Sequence, residues 1–265
     1  MRKDILNHEI KVGGWIQIGS PVSGEILAKA GFDWIAIDLE HTEIELKDFT
    51  NIMRGISRYN VFPMARVCKN STISIRKCLD CGAKGIIVPL INTKAEAESA
   101  VRACKFPPDG VRGFAFARAN EWGVGFDEYA KTANDEIVVM IMIETKEAVE
   151  NIEEIVSVEG VDGVFIGHYD LSGSYGVPGE TEHTYITEAK DKVLRACKKY
   201  NKVIGQHIVL PTEENVKIAV ESGYTFLALG IDTVFISAGA KTALNMVKRC
   251  ETKVTVGGNQ WQTYL

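Results

Sequence analysis

Short, almost entirely apolar segments alternate along the chain with longer segments of helical periodicity. Strands of a parallel sheet have this continuous apolar character because both of their faces are covered. The pattern predicts eight strands, at residues 15–19, 34–40, 63–67, 85–91, 137–144, 163–166, 203–207 and 226–229. It predicts helices at residues 45–58, 74–81, 94–104, 146–156, 188–200, 213–222 and 235–249.

The alternation predicts an α/β fold, a (β/α)8 TIM barrel with a parallel eight-stranded sheet. A chain of 265 residues suits one such domain. We therefore expect a barrel domain over residues 1–251 and a polar C-terminal tail over residues 252–265. A doubly wound open sheet is the alternative. Neither a GxGxxG segment after the first strand nor a GxxxxGK[ST] segment occurs, which argues against nucleotide binding.

Composition adds mainly exclusions. The net charge is −5, so there is no electrostatic footprint for nucleic acid or an anionic membrane. No apolar run approaches the length needed to span a bilayer, and the N-terminal segment lacks the apolar stretch of a signal peptide. The six cysteines are scattered, which is typical of reduced thiols. We expect a cytoplasmic protein without nucleic-acid or membrane partners.

Polar side chains close most of the predicted strands at their carboxyl ends. In a (β/α)8 barrel these ends form one mouth, where the active site lies. The side chains are Asp38, Glu40 and His41 after the second strand, Arg66 at the third, Glu144 at the fifth, His168 and Asp170 after the sixth, and Gln206 and His207 at the seventh. A purely structural barrel does not require such a convergence of charge, and the sequence therefore predicts an enzyme.

Glu144 and Asp170 come from neighbouring strand ends. Adjacent strands lie about 4.8 Å apart, so both carboxylates can reach one ion. Two carboxylates with open coordination positions suit Mg²⁺ or Mn²⁺. Two alternatives remain at this point: Asp170 caps a helix, or Glu144 pairs with Lys146 or Arg66.

His41 and Arg66 are the candidates for moving protons and stabilising charge. His41 lies three residues after Asp38, and an Asp–His pair is the usual way to fix an imidazole tautomer. Arg66 closes an apolar strand, and a planar guanidinium suits a carboxylate or a developing enolate oxygen. The alternatives are a surface histidine at the start of a loop and a structural salt bridge for Arg66.

Several segments together resemble the class II, metal-dependent pyruvate aldolases of the HpcH/HpaI type. The family includes 4-hydroxy-2-oxoheptanedioate aldolases and 2-keto-3-deoxy sugar-acid aldolases. The segments are GWIQIGSP (14–21), GFDWIAIDLEH (31–41), LDCGAKGIIVP (79–89), FPPDGVRG (106–113), MIET (142–145) and VDGVFIGHYDLS (161–172). The resemblance covers about residues 10–250, with the segments in the order that the family shows.

The resemblance implies a reaction and a metal. The enzyme would cleave a 4-hydroxy-2-oxo acid into pyruvate and an aldehyde through an enolate stabilised by a divalent metal. Glu144 and Asp170 would hold Mg²⁺ or Mn²⁺, with Co²⁺ as a further candidate. Arg66 would stabilise the enolate oxygen, and His41, paired with Asp38, would move the proton.

The resemblance also implies a set of substrate contacts. Arg66, Gly167, His168 and Ser172 would bind substrate, with the backbone at the start of a helix holding the pyruvate carboxylate. Relatives often have Gly-Pro before the second metal ligand, whereas this chain has Gly167-His168. His168 is therefore open to several interpretations: an added ligand, a second acid or base, a substrate contact or a spectator.

Family members are typically hexamers built as trimers of dimers, so we expect a homo-oligomer. We also expect the long segment 106–136 to be ordered by its aromatic residues and to shape the aldehyde side of the pocket with Arg112, Arg118 and Trp122. One alternative is a CoA-thioester lyase of the citrate-lyase β-subunit type, although no basic run for the nucleotide is visible. Another is a barrel without activity.

Overall fold

Eight parallel strands close into a barrel in chain order, with the first strand paired to both the second and the eighth. The computed structural model describes residues 1–256. The strands are β1 (Lys11–Ile16), β2 (Trp34–Asp38), β3 (Phe62–Arg66), β4 (Gly85–Val88), β5 (Val138–Ile143), β6 (Gly163–Ile166), β7 (Val203–Ile208) and β8 (Phe226–Leu229). This order confirms the predicted (β/α)8 fold.

Helices connect the successive strands, and one more helix lies before the first strand and one after the eighth. The helices Arg2–Leu6, Pro21–Ala30, Phe126–Glu136 and His168–Ser174 were not predicted, and the helix expected over residues 146–156 is divided at Asn151. The helices are α1 (Arg2–Leu6), α2 (Pro21–Ala30), α3 (Leu46–Ile56), α4 (Thr72–Asp80), α5 (Lys94–Cys104), α6 (Phe126–Glu136), α7 (Lys146–Glu150), α8 (Ile152–Val156), α9 (His168–Ser174), α10 (Thr184–Lys199), α11 (Glu213–Glu221) and α12 (Asp232–Val256).

The first strand begins four residues earlier than the pattern predicts. The prediction missed this part because two glycines, which are uncommon inside strands, lie in it. Gly13 packs so closely on the indole of Trp34 that a Cβ there would lie 2.1 Å from the ring. Trp34 in turn stacks on Phe226, with ring centroids 4.2 Å apart. The glycine that resembles a strand breaker is therefore required by the large rings inside the barrel.

Two apolar layers stabilise the barrel. The inner layer consists of alternate strand residues that fill the lumen, and Ile5 of α1 belongs to it. The outer layer packs the other strand faces against the helices. Arg2 of α1 also pairs with the buried Asp162 at 2.7 Å. In this way α1 covers the amino-terminal end of the barrel, and the opposite end remains open.

The segment 106–136 has a defined structure, but it does not line the pocket of its own barrel, as had been expected. It joins the end of α5 to the start of β5, so it lies at the amino ends of the strands, away from their carboxyl ends. Arg112 is buried there, 2.8 Å from Asp80 and over the ring of Phe106. A further part forms a 3-10 helix, Arg118–Gly123, followed by α6. Arg112 thus has a structural role.

The last helix extends beyond the expected domain boundary. α12 runs to Val256, past residue 251, while residues 257–265 of the predicted tail lie outside the described residues. In the part of the chain that the structure describes, no helix has both the length and the apolar character that a membrane span requires.

Asp232 joins the two ends of the sheet, which leads to a stability prediction. Its carboxylate accepts hydrogen bonds from the backbone N–H groups of Gln17 and Ile18 at 2.9 and 3.0 Å, and from the Ser23 hydroxyl at 2.5 Å. We expect Asp232→Ala to lower the free energy of unfolding by about 2–4 kcal/mol, because partly buried donors lose their acceptor. Urea unfolding measures the difference.

The matched control is Ser23→Ala, which removes a single one of these hydrogen bonds. Its expected loss of stability is about 1 kcal/mol. If Asp232→Ala were no more destabilising than this control, the carboxylate would not be what holds the β1 and β8 ends together.

Candidate active site

The candidate site is the uppermost layer of the barrel interior. Along each strand, alternate side chains point into the lumen, so the residue two positions beyond a core residue also points inward. The inner-layer residues Trp15, Ala36, Met64, Met142 and Phe165 are thus followed by Gln17, Asp38, Arg66, Glu144 and Gly167. The parity of the strands therefore places polar groups on top of an apolar lumen.

A buried ion pair between Arg66 and Asp38 lies at the centre of this layer. The Nε atom of Arg66 donates to Oδ1 of Asp38 at 2.9 Å, and Nη2 donates to Oδ2 at 2.5 Å. Asp38 is 0% exposed and Arg66 is 8% exposed. Burial acts to raise the pKa of Asp38, but the hydrogen bond and the positive charge of Arg66 outweigh it and hold this pKa below its ordinary value.

Groups in and directly after β1 complete the environment of this pair. The indole N–H of Trp15 and the amide of Gln17 both lie near Oδ2 of Asp38, at 3.4 and 3.3 Å. The guanidinium of Arg66 lies 5.0 Å from the Trp15 ring centroid, and the His207 ring stacks against the same indole with centroids 4.8 Å apart. Arg66 is therefore fixed in position and orientation.

The expected pairing of His41 with Asp38 is wrong. Oδ1 of Asp38 accepts from the backbone N–H groups of Glu40 and His41, and its side-chain partners are Arg66, Gln17 and Trp15. The His41 ring is 58% exposed, with Nε2 3.7 Å from Oε2 of Glu40. The backbone bends after β2, so Asp38 contacts the N–H group of His41 and the His41 imidazole lies near Glu40 instead.

Glu40 is a site residue to which the sequence analysis gave no role. Its Oε2 atom lies 3.3 Å from Nη1 of Arg66 and is buried without a hydrogen-bond partner among the described residues. Burial raises the pKa of Glu40, and the negative charges of Asp38 and Asp170 add to this effect. Glu40 stands two residues beyond the inward-facing Asp38, and this position is the sequence signal by which it could have been found.

Glu144 is a buried carboxylate held by one backbone hydrogen bond. Oε1 accepts from the N–H of Leu90 at 2.6 Å, and the residue is 4% exposed. Burial raises its pKa to about 7, with repulsion from Glu40 and Asp170 acting in the same direction. The alternative partner Lys146 lies instead near Glu150, at 4.0 Å. Glu144 thus forms no salt bridge with a described residue, although the positive charge of Arg66 acts to lower its pKa.

Asp170 is the third residue of α9, and Gly167 occupies the N-cap position. The alternative of a helix-capping aspartate therefore does not apply. The Asp170 carboxylate is exposed and accepts no hydrogen bond from any described residue. Its charge contributes to the raised pKa values of Glu40 and Glu144, so the three carboxylates share one electrostatic environment.

Two of the expected substrate contacts, Gly167 and Ser172, make hydrogen bonds within the chain, and Gly167 also lines the cavity at the barrel mouth. The N–H of Gly167 donates to the carbonyl of Ile143 at 3.1 Å, and a Cβ on Gly167 would lie 2.9 Å from both Cβ and Oε2 of Glu144. The Ser172 hydroxyl is fully buried, donating to the Tyr169 carbonyl and accepting from the Gly179 N–H at 2.8 Å. Gly167 thus provides space beside Glu144, and Ser172 stabilises the turn after α9.

His168 lies in a wall between two cavities. One, of about 90 Å³, is the barrel mouth, where Arg66 and Asp170 also contribute to the lining. The other, of about 630 Å³, runs along the flank between α10 and α11. Burial lowers the pKa of His168 to about 4, and its Nε2 atom is buried without a hydrogen-bond partner among the described residues. The ring is thus a neutral part of the wall.

The donor set fits a hard divalent cation. Oxygen atoms of Glu144 and Asp170 are available from neighbouring strand ends, and repulsion between the carboxylates favours a counter-ion. Among the residues that the structure describes, no group of three or more His, Cys, Asp or Glu side chains is gathered for metal binding. A cation held by two carboxylates takes its other ligands from water and substrate, as Mg²⁺ usually does.

A closed (β/α)8 barrel with a fixed arginine and acidic side chains at the carboxyl ends of its strands has the architecture of a barrel enzyme. The family model described as HpcH/HpaI aldolase/citrate lyase matches residues 11–238. The chain belongs to this family. Membership confirms the predicted family and the predicted class of enzyme, an aldolase-type carbon–carbon lyase.

Known relatives resemble most of the chain. A 4-hydroxy-2-oxo-heptane-1,7-dioate aldolase from Shigella sonnei is 37% identical over 233 residues, 87% of this chain and 88% of the relative. Among solved structures, an HpcH/HpaI aldolase/citrate lyase family protein from Burkholderia cenocepacia is 30% identical, with a TM-score of 0.89 over 93% of this chain and 98% of that one. An HpcH/HpaI aldolase from Desulfitobacterium hafniense is 28% identical, with a TM-score of 0.87 over 94% and 96% of the two chains.

The second histidine of the layer, His207, makes stability depend on pH. Burial lowers the pKa of His207 to about 4, against an ordinary value of 6.5, while Nε2 lies 2.9 Å from the Gly230 carbonyl. Below pH 6.5 the unfolded chain therefore binds a proton that the folded chain does not. The stabilisation from neutral His207 is full above pH 6.5 and is lost as the pH falls towards 4.

Urea unfolding of wild type and His207→Phe in metal-free buffer at pH 7 and pH 5 measures this effect. The wild type should lose about 2 kcal/mol relative to the variant between these pH values. The comparison with the variant removes the opposite contribution of Glu144, which both proteins share. His41→Gln, at an exposed ring, is the control and should follow the wild type. Parallel pH curves for wild type and His207→Phe would exclude His207 as the source.

Proposed function

We propose that this protein is a divalent-metal-dependent aldolase that cleaves a 4-hydroxy-2-oxo acid into pyruvate and an aldehyde, and that catalyses the reverse addition. The observation that carries the proposal is Arg66, fixed by Asp38 beside the carboxylates of Glu144 and Asp170. This arrangement combines a positive group with a place for a cation at the barrel mouth. The aldolase relatives over most of the chain support the same reaction.

Glu144 and Asp170 are the residues that would hold the metal, Mg²⁺ or Mn²⁺, with Co²⁺ as a further candidate. When bound, such a cation supplies Lewis-acid stabilisation of negative charge on the 2-oxo acid. The chain contributes the placement: Glu144 is buried and restrained by Leu90, and Asp170 is exposed on the first turn of α9. One rigid ligand and one accessible ligand leave room for substrate oxygens.

Arg66 stabilises the charge that develops during cleavage. As the bond between C3 and C4 breaks, its electron pair passes to the three-carbon fragment, whose oxygen becomes more negative. The guanidinium already makes two hydrogen bonds to Asp38, so it does not reorganise when this charge appears. Asp38 is therefore a positioning residue that acts through Arg66.

His41 moves the proton. Cleavage requires a base for the 4-hydroxyl proton, and the three-carbon fragment must then be protonated at C3 to give pyruvate. The His41 ring is exposed at the mouth, and its close carboxylate is Glu40. We assign Glu40 as the group that orients His41, in place of Asp38.

The remaining pocket residues hold the substrate and shape its surroundings. The first-turn N–H groups of α9, which follow Gly167, are suited to the carboxylate of the 2-oxo acid. Gly167 leaves space for Glu144, and His168 contributes a neutral wall beside the mouth. His168 therefore remains a candidate substrate contact, whereas Ser172 stabilises the turn after α9.

We infer that the protein is a homo-oligomer, a hexamer built as a trimer of dimers. In a complete barrel, the helix after β8 covers the junction of β8 and β1. α12 instead exposes apolar side chains, of which Ile236 is 63% and Leu244 66% exposed. The segment 106–136 likewise exposes Phe116 and Trp122 at 73% and 66%. Packing between copies of the chain would bury these surfaces.

The thiols support a cytoplasmic location. Cys78, Cys104 and Cys197 are free and buried. Burial raises the pKa of each to about 12, so the thiols are unreactive. Free cysteines in this state are typical of a reducing compartment.

Activity should require a divalent metal and Arg66. Pyruvate formation from a panel of 4-hydroxy-2-oxo acids is measured before and after chelation, and again after addition of Mg²⁺, Mn²⁺ or Co²⁺. We expect chelation to abolish turnover and metal to restore it. Arg66→Ala should lower kcat by about 10²–10³-fold, because a fixed positive group is lost where charge develops.

Arg58→Ala is the matched control, because Arg58 is an exposed arginine on the helix side of the barrel. It should retain wild-type turnover. Chelator-insensitive turnover would overturn the proposal. Acyl-CoA esters form the second substrate arm: turnover of those esters alone would establish the thioester lyase instead.

The oligomer is tested by light scattering after size-exclusion chromatography. Wild type should have the mass of six chains of 29.2 kDa. Ile236→Glu combined with Leu244→Glu should reduce this mass, because two charges would enter the apolar contact. Lys241→Gln, on the same helix, should not. A wild-type mass of one chain at micromolar concentration would refute the assignment.

A further inference from the structure

We propose that Leu90 is a positioning residue: its left-handed backbone aims its N–H at Oε1 of Glu144 and thereby leaves Oε2 facing the cation site. This inference rests on the proposed function, because it concerns the geometry of the same ligand. The role belongs to the backbone of Leu90, whose side chain points away from the protein.

The backbone at Leu90 is strained, and packing of its side chain does not offset the cost of this strain. Its φ angle is +53°, a region that non-glycine residues rarely adopt. The side chain is 57% exposed, so little packing is gained. In return, the N–H reaches Oε1 of Glu144 at 2.6 Å. A left-handed residue at a candidate site, with its N–H on a candidate ligand, indicates that the hydrogen bond is what the conformation provides.

The loop after β4 is anchored so that this conformation persists. The N–H groups of Asn92 and Thr93 both donate to Oε2 of Glu96, at 2.7 and 3.0 Å. The Asn92 carbonyl accepts from the Asn151 amide at 2.9 Å, and the Asn92 side chain contacts the hydroxyl of Thr145. Since Thr145 follows Glu144 directly, the loop that carries Leu90 and the strand end that carries Glu144 are tied together.

Gly167 restrains Glu144 on the opposite side. The backbone of Gly167 lies so close that an added Cβ would be 2.9 Å from Oε2 of Glu144. The carboxylate is therefore held between a hydrogen bond on one oxygen and a close backbone contact near the other. A cation with two protein carboxylates depends on their geometry, and outer groups that orient such ligands typically change metal affinity 10–100-fold when altered.

The test uses substitutions that act through the backbone alone. Leu90→Ile keeps size and polarity, but a β-branched side chain disfavours the left-handed conformation and should turn the N–H away from Glu144. Manganese alone is the probe, and its dissociation constant for the full-length protein is measured from the electron paramagnetic resonance signal of free Mn²⁺. We expect the constant to increase at least about tenfold.

Two further variants keep the proposal falsifiable. Leu90→Gly adopts the left-handed conformation without strain and should retain the wild-type constant within about threefold. Asn201→Ile introduces the same side chain at another left-handed residue, φ +52°, in the connection from α10 to β7, at the end of the barrel opposite the mouth. It should lower thermal stability without changing Mn²⁺ affinity.

Each outcome has a definite meaning. Weaker binding by Leu90→Ile, with Leu90→Gly and Asn201→Ile unchanged, supports the positioning role. Equal affinity of Leu90→Ile and wild type overturns it, and so does equal weakening by Asn201→Ile, which would indicate a general effect of stability. If wild type itself binds no Mn²⁺, the proposed metal site fails before Leu90 is tested.

Discussion

The ion pair between Arg66 and Asp38 is the constraint on which the site depends. A charge in the top layer of an apolar lumen has few water contacts, and an unpaired one would be strongly destabilising. The ion pair removes this cost, because each charge has a partner. It also fixes the guanidinium before any substrate binds. Trp15 of β1 and Gln17, directly after β1, are arranged around this pair. The same interaction thus makes the barrel mouth stable and preorganises its positive group.

A surplus of negative charge surrounds this pair. Burial raises the pKa values of Glu40 and Glu144, the charge of Asp170 adds to both effects, and Arg66 alone does not balance these carboxylates. Such a cluster is unfavourable for an isolated barrel and favourable for one that binds a divalent cation. Leu90 and Gly167 add a geometric restraint to this electrostatic one, since they hold Glu144 from both sides. The clustered carboxylates of this layer therefore lower the stability of the barrel but favour the cation binding that the proposed function requires.

Some features at the two ends of the barrel fit an assembly better than a single chain. α1 closes the amino-terminal end with its own apolar residue Ile5. α12 and the segment 106–136 instead leave large apolar groups in solvent, which a monomer does not usually do over such lengths. The polar layer at the barrel mouth consists of residues of one chain. Its surroundings would then be completed by neighbouring copies.

The sequence alone determined the barrel and the inward-facing residues Asp38, Arg66 and Glu144, because buried parallel strands are recognisable as apolar runs and strand parity carries inward positions to the mouth. Only the tertiary structure decided which groups pair. Asp38 binds Arg66 and leaves the His41 ring near Glu40, the backbone of Leu90 holds Glu144, and the segment 106–136 lies at the far end of its own barrel. Partner choice depends on distances between residues remote in the chain and on backbone angles after each strand, which local patterns do not encode.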